Sequence, residues 1–123
     1  FLMLIYPVIT MSGPDTSVGG SRRPLLGPNP SDEDVQLWSV DKQVTSATPP
    51  TLLIHTQEDS VVPVENSILF YQALIRASVP AEMYLYEGGR HGMGMRYKAV
   101  TTSGWPKRAA EWLETRGLLA SPR

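Results

Sequence analysis

The chain has 123 residues, 41% of them hydrophobic and 19% charged, the makeup of one globular domain with no room for a second. Eleven Lys and Arg against twelve Asp and Glu leave a formal net charge of −1, which excludes the electrostatic footprint of a nucleic-acid or anionic-membrane binder. With no cysteine and only two histidines, disulfide frameworks, thiolate catalysis and cysteine-based zinc sites are excluded too.

Phe1-Leu-Met-Leu-Ile-Tyr6 is an apolar run stopped by Pro7. It predicts a strand buried on both faces of a parallel sheet, although periodicity alone also allows a helical segment. The run to Ile9 is far shorter than the roughly 18 residues of a spanning helix. It also lacks the basic start and small-residue cleavage site of a signal peptide. A chain that opens on Phe in this way is expected to begin inside a longer protein. Thr10 to Pro30 is rich in Gly, Pro, Ser, Asp and Asn and predicts a surface excursion. At about 20 residues it has a length that is often functional, and the whole stretch 10–50 is expected to border the active site.

Ser31-Asp-Glu-Asp34 supplies an N-cap and early carboxylates for a short helix, with Val35, Leu37 and Trp38 as its apolar residues. After Thr48-Pro-Pro50, Thr51-Leu-Leu-Ile-His-Thr56 reads as a second buried strand. Pro63 suits the first turn of a helix running to about Ser78, with Val64, Ile68, Tyr71, Leu74 and Ile75 at three- and four-residue steps. Pro80 ends it. Ala81 to Glu87 alternates Met83 and Leu85 against Tyr84 and Tyr86, a third strand with less complete burial, and Gly88-Gly89 breaks it. Trp105, Ala109, Trp112 and Leu113 share one face of a terminal helix with Pro106 near its start and Gly117 just past its end. The alternation predicts an α/β fold, a parallel sheet covered by helices, over a single domain.

Ligands of open α/β sheets gather beyond the carboxyl ends of the strands. Glu58-Asp59 follows the second strand and Arg90-His91-Gly92 the third. Their spacing is what one helix and one strand consume, so the crossover returns His91 to the edge that carries Asp59. A carboxylate there can accept from the imidazole, fix its tautomer and stabilise its cation. Other roles stay open: Asp59 as a cap of the following helix, and His91 as a solvated loop histidine. His55, inside an apolar strand, reads as a satisfied core histidine. No ligand spacing supports a metal site from His55, His91 and Asp59.

The stretch from Thr48 to Gly94, with Asp59 in Asp-x-x-Val-Pro and His91 in His-Gly-x-Gly, resembles the C-terminal half of α/β-hydrolase esterases. The likeness is to the acetyl esterase and acetylxylan-esterase-like branch, including proteins called dienelactone-hydrolase-like. Tyr6-Pro-Val and Ser21-Arg-Arg-Pro-Leu-Leu-Gly27 extend it over nearly the whole chain. The resemblance implies that Asp59 is the triad acid and His91 the triad base, that no cofactor or metal is needed, and that the partner is a small ester such as an acetylated carbohydrate. Glu58, where the branch often has a second Asp, is the alternative acid. Met93 stands where an aromatic residue is common.

One departure is severe. The nucleophilic serine of such enzymes lies in G-x-S-x-G, ahead of acid and base in chain order, and no G-x-S-x-G occurs here. Nucleophile and oxyanion hole are expected upstream, so the chain by itself is expected to be inactive and to associate through a bare sheet edge. An oligopeptidase of the same fold keeps a similar acid and histidine and is a second reading. A non-catalytic hydrolase-like binding or structural module is a third.

Overall fold

A computed structural model describes residues 1–13, 20–95 and 102–119. Three strands, β1 (Leu2–Ile5), β2 (Thr51–Thr56) and β3 (Ala81–Tyr86), form one parallel sheet in the order β1-β2-β3. Leu2 pairs with Thr51, Thr51 with Ala81, and Thr56 with Tyr86. Central β2 is buried at all six positions, as its unbroken apolar run predicts.

Alternation along β2 divides the core. Leu53 packs with Ile9, Phe70, Leu74 and Val79, whereas Leu52 and Ile54 pack with Met93, Trp105, Ala109 and Trp112. Helix α3 (Glu65–Arg76) therefore covers one face and helix α4 (Trp105–Thr115) the other, giving helix, sheet, helix layers. Each of these buried leucines and isoleucines is worth about 1.5–3 kcal/mol against leaving it exposed. Helix α4 starts on Trp105-Pro106 and buries Trp105, Ala109 and Trp112, with Leu113 partly buried.

The chain departs from the sequence-based expectation at four places. β1 is half-buried rather than buried on both faces, because among the described residues it is hydrogen-bonded to β2 alone. Within the excursion a short exposed helix, α1 (Arg22–Leu26), was not expected, and residues 14–19 of that stretch lie outside the described residues. Helix α2 (Asp32–Trp38) starts where predicted, Ser31 Oγ accepting from Asp34 N, but buries only Val35, leaving Leu37 61% and Trp38 49% exposed. Its inner face continues four residues on at Ser39, whose hydroxyl accepts from Met11 N at 2.8 Å and donates to Val35 O at 2.6 Å.

In α3 the buried residues are Asn66, Ser67, Phe70, Ala73 and Leu74, while Ile75 is exposed. The stripe is turned from the one the apolar periodicity predicts, because two polar residues occupy its first turn. Asn66 Oδ1 accepts from Ile9 N at 2.9 Å and Thr10 N at 3.2 Å, tying the segment after β1 to the helix. Ser67 turns to β2.

Candidate active site

Beyond β2 the ladder continues for one residue, Gln57 N donating to Tyr86 O at 2.7 Å, before the chain leaves the sheet. In the turn that follows, Asp59 Oδ1 accepts from Val61 N and Val62 N, both at 2.9 Å. An aspartate that binds backbone amides two and three residues on holds its own loop closed. It does not cap α3, whose N-cap is Val64 and carries no side-chain bond. The Asp59 side chain is fully buried with Oδ2 still to satisfy.

His91 fills that need: its Nδ1 donates to Asp59 Oδ2 at 2.8 Å. The loop after β3 is fastened on both sides of the ring. Before it, Gly89 sits against the methyls of Thr56 and Thr102 at φ +141°, where a side chain would be strained, and its carbonyl accepts from Thr56 Oγ1 at 2.7 Å. After it, the buried Met93 packs with Leu52, Ile54 and Trp105, and Gly94 O accepts from Trp105 Nε1 at 3.1 Å. The His91 side chain keeps 30% of its surface exposed. With the proton on Nδ1, its Nε2 carries the lone pair, the form a general base requires. The Tyr6 ring meets the imidazole edge-on, centroids 4.7 Å apart at 63°. Tyr6 itself has φ +42°, an uncommon backbone conformation for a bulky residue and one that clusters at functional sites.

A second histidine reaches the same carboxylate. His55 Nε2 lies 3.0 Å from Val62 O and 3.3 Å from Asp59 Oδ2, and its Nδ1 lies 2.7 Å from Ser67 Oγ. The partners assign the tautomer: Nε2 faces two acceptors and must carry the proton, so Nδ1 accepts from the Ser67 hydroxyl. Burial disfavours the cation and holds the His55 pKa below its ordinary 6.5, against the raising effects of the Val62 carbonyl and Asp59. Burial pushes the Asp59 carboxyl up, but bonds from Val62 N, His91 and Val61 N outweigh it and hold that pKa below its ordinary 3.8. At neutral pH these directions favour an ionised Asp59 beside a neutral, buried His55.

Asp59 and His91 are brought together as their spacing predicts, and it is Asp59, not the exposed Glu58, that meets the ring. His55 is a satisfied core histidine as expected, with the contact to Asp59 in addition. Sequence reasoning missed Tyr6 as a neighbour of His91 and Ser67 as a partner of His55. Tyr6 carried one signal, its place at the carboxyl end of a strand, while Ser67 carried none. Among the described residues no group of three or more His, Asp or Glu is arranged to hold a metal ion, and no helix is long and apolar enough to cross a membrane. A hollow of about 430 Å³ is lined by Arg22, Arg23, Gly27, Pro28 and Pro30, and neither Asp59 nor His91 lines it.

Known proteins share this arrangement of elements. The prolyl oligopeptidase family model matches residues 9–116. An acetyl ester-xyloside bifunctional hydrolase from Caldicellulosiruptor lactoaceticus superposes with a TM-score of 0.89 at 40% identity, over 96% of this chain and 43% of that one. A carboxylesterase from Lactobacillus plantarum superposes with a TM-score of 0.78 at 27% identity, over 98% of this chain and 46% of that one. Endo-1,4-beta-xylanase B of Butyrivibrio fibrisolvens is 48% identical over 92 residues, 75% of this chain and 14% of that protein. The chain therefore spans less than half the length of each of these three relatives. With a three-layer parallel sheet matching the α/β-hydrolase esterases, and a family model covering most of its length, the chain belongs to the prolyl oligopeptidase family of α/β hydrolases.

Proposed function

We propose that this chain is the C-terminal part of a serine carboxylic-ester hydrolase acting on small acyl esters such as acetylated sugars, and that it supplies the acid and base of the triad but not the nucleophile. The observation that carries the reading is the 2.8 Å bond from His91 Nδ1 to the buried Asp59 carboxylate at the carboxyl ends of neighbouring parallel strands. His91 Nε2 takes the proton of a serine hydroxyl supplied from outside these residues as its oxygen attacks the ester carbonyl. The imidazolium formed is stabilised by Asp59, and the proton then passes to the departing alcohol. Water repeats the sequence on the acyl-enzyme and releases the acid. The choice of ester over peptide is supported by the names of the structural relatives, one of which acts on an acetyl ester. The family model, described by its peptidase members, favours the second reading, an oligopeptidase.

The test uses the full-length protein, its Asp59→Asn and His91→Ala variants, and three substrates: an activated acetyl ester, an acetylated xylo-oligosaccharide and a proline-containing peptide. Ester turnover is expected to fall by about 10⁴-fold in Asp59→Asn and at least as far in His91→Ala. The 123-residue chain alone is expected to be no faster than its His91→Ala control, since losing the nucleophile costs about 10⁶-fold in subtilisin, the standard measured case. Full turnover in His91→Ala sinks the assignment, and peptide cleavage without ester cleavage favours the oligopeptidase.

A further inference from the structure

We propose that His55 is a positioning residue for this reaction: Ser67, His55 and Asp59 form a buried chain of polar contacts that holds the Asp59 carboxylate where Oδ2 meets His91. The inference rests on the reading of Asp59 and His91 as acid and base. It starts from the three donors and the one further imidazole gathered around one carboxylate. Oδ1 is held by Val61 N and Val62 N, both in the same turn as Asp59. Oδ2 is held by His91, on a glycine-rich loop with a part-exposed ring, and approached by His55, which lies in central β2 with no exposure at all. A carboxylate rotates readily about its last torsion, which is broad and two-fold. Of the two imidazoles on Oδ2, His55 alone is anchored in the sheet, so it supplies the fixed reference for that oxygen.

A core histidine satisfied by Val62 O and Ser67 would need no third partner, yet the Nε2 proton also faces Asp59 Oδ2 at 3.3 Å. Val62 O and Asp59 Oδ2 keep the proton on Nε2, and Ser67 holds the other end of the ring, its hydroxyl donating to Nδ1 at 2.7 Å. Without the hydroxyl, buried Nδ1 loses that donor and the ring loses the bond that fixes its orientation toward Asp59. Neutrality matters as well. A protonated His55 would compensate the Asp59 charge that His91 uses, and Asp59 and His91 are the charged and titratable side chains that act on it. Burial in β2 opposes that protonation. The turn of α3 that brings Ser67 inward thus serves the site and not only the core.

The test is made on full-length protein in two parts. Imidazole nitrogen shifts, assigned through His55→Gln and His91→Ala, are expected to report His55 as the neutral Nε2–H tautomer and His91 as Nδ1–H at neutral pH. An Nδ1–H tautomer at His55 overturns the chain of contacts. In acetyl-ester kinetics His55→Leu, which keeps bulk and removes the donor, is expected to lose about 10- to 100-fold in kcat with KM within about twofold, since a misplacement of about 1 Å in a catalytic group costs on the order of 10²-fold. His55→Gln, which restores a donor near Nε2, is expected to recover most of the loss, and Ser67→Ala to lose less than His55→Leu. If His55→Leu does not fold, His55→Gln and Ser67→Ala carry the comparison. A lowered unfolding midpoint with kcat unchanged in the folded fraction, for all three variants, overturns positioning. Absence of esterase turnover in the unsubstituted protein overturns the proposed function instead, and the tautomers still decide the chain of contacts.

Discussion

Gly89→Ala adds one methyl group at the point where the His91 loop touches the sheet. The new Cβ would lie 2.8 Å from Thr56 Cγ2 and 3.0 Å from Thr102 Cγ2, on a backbone with φ +141°. Thr56 cannot give way freely. It is β-branched and stiff at χ1, it is buried, and rotating its methyl aside moves the hydroxyl that holds Gly89 O at 2.7 Å. Backbone strain of about 1–3 kcal/mol and overpacking of about 1–3 kcal/mol put the expected loss near 4 kcal/mol. That is a large share of a stability of roughly 5–15 kcal/mol. Gly92→Ala is the control, since it also has a positive φ, +72°, but meets nothing within 4 Å. It should cost only the left-handed penalty of about 1–2 kcal/mol. Urea midpoints at constant m-value compare the two variants in the full-length protein. Ester turnover, read on the folded fraction, reports whether His91 stays on Asp59. Equal destabilisation by the two substitutions would refute the argument that Gly89 is required by close approach rather than by φ alone.

Two pH windows follow from the site. The folded His55 pKa lies below 6.5, so the unfolded state takes the proton more readily, and stability present above about pH 6.5 is lost progressively below it. Urea midpoints of His55→Gln should therefore be flatter than those of the unsubstituted protein over the first unit or two below that point, and an unchanged slope contradicts the neutral buried ring. The folded Asp59 pKa lies below 3.8, so its contribution is intact above about pH 4 and lost as pH falls through the lower folded value. Asp59→Asn should remove that later step, and an identical acid limb contradicts the pairing. The 123-residue chain alone, with the outer edge of β1 unpaired among the described residues, is expected to run above its 13.6 kDa in size exclusion. A cooperatively unfolding monomer would refute this.

Much of the fold can be read from the chain because its elements agree locally and globally. Thr51–Thr56 is an apolar run between Pro50 and the polar turn at Gln57, and it became the central strand with its predicted bounds. Asp59 and His91 can be paired from the sequence because a parallel crossover returns the chain to the same edge of the sheet. Phe1 to Tyr6 has the composition of a buried strand, and β1 is half-buried with β2 as its one neighbour among the described residues, the bare edge that an upstream neighbour would leave.

What periodicity could not reveal lies where polar residues face inward. Counting apolar positions along 63–78 treats Asn66 and Ser67 as solvent-facing, and it turns the predicted stripe away from the residues α3 buries. Asn66 holds the segment after β1, and Ser67 holds His55. Both are inside because backbone amides and an imidazole across the layer satisfy them, and a sequence pattern carries no record of partners so distant in the chain. Tyr6 breaks another local rule with its positive φ, and it too lies against His91. A satisfied core residue and a positioning residue look alike from the sequence, since both are single polar residues in an apolar setting. They separate only when the polar atoms are followed outward. Asn66 leads to backbone, whereas Ser67 leads through His55 to the carboxylate that holds His91. Local rules are expected to fail where function imposes its own geometry, and here the exceptions at His55, Ser67 and Tyr6 converge on one imidazole.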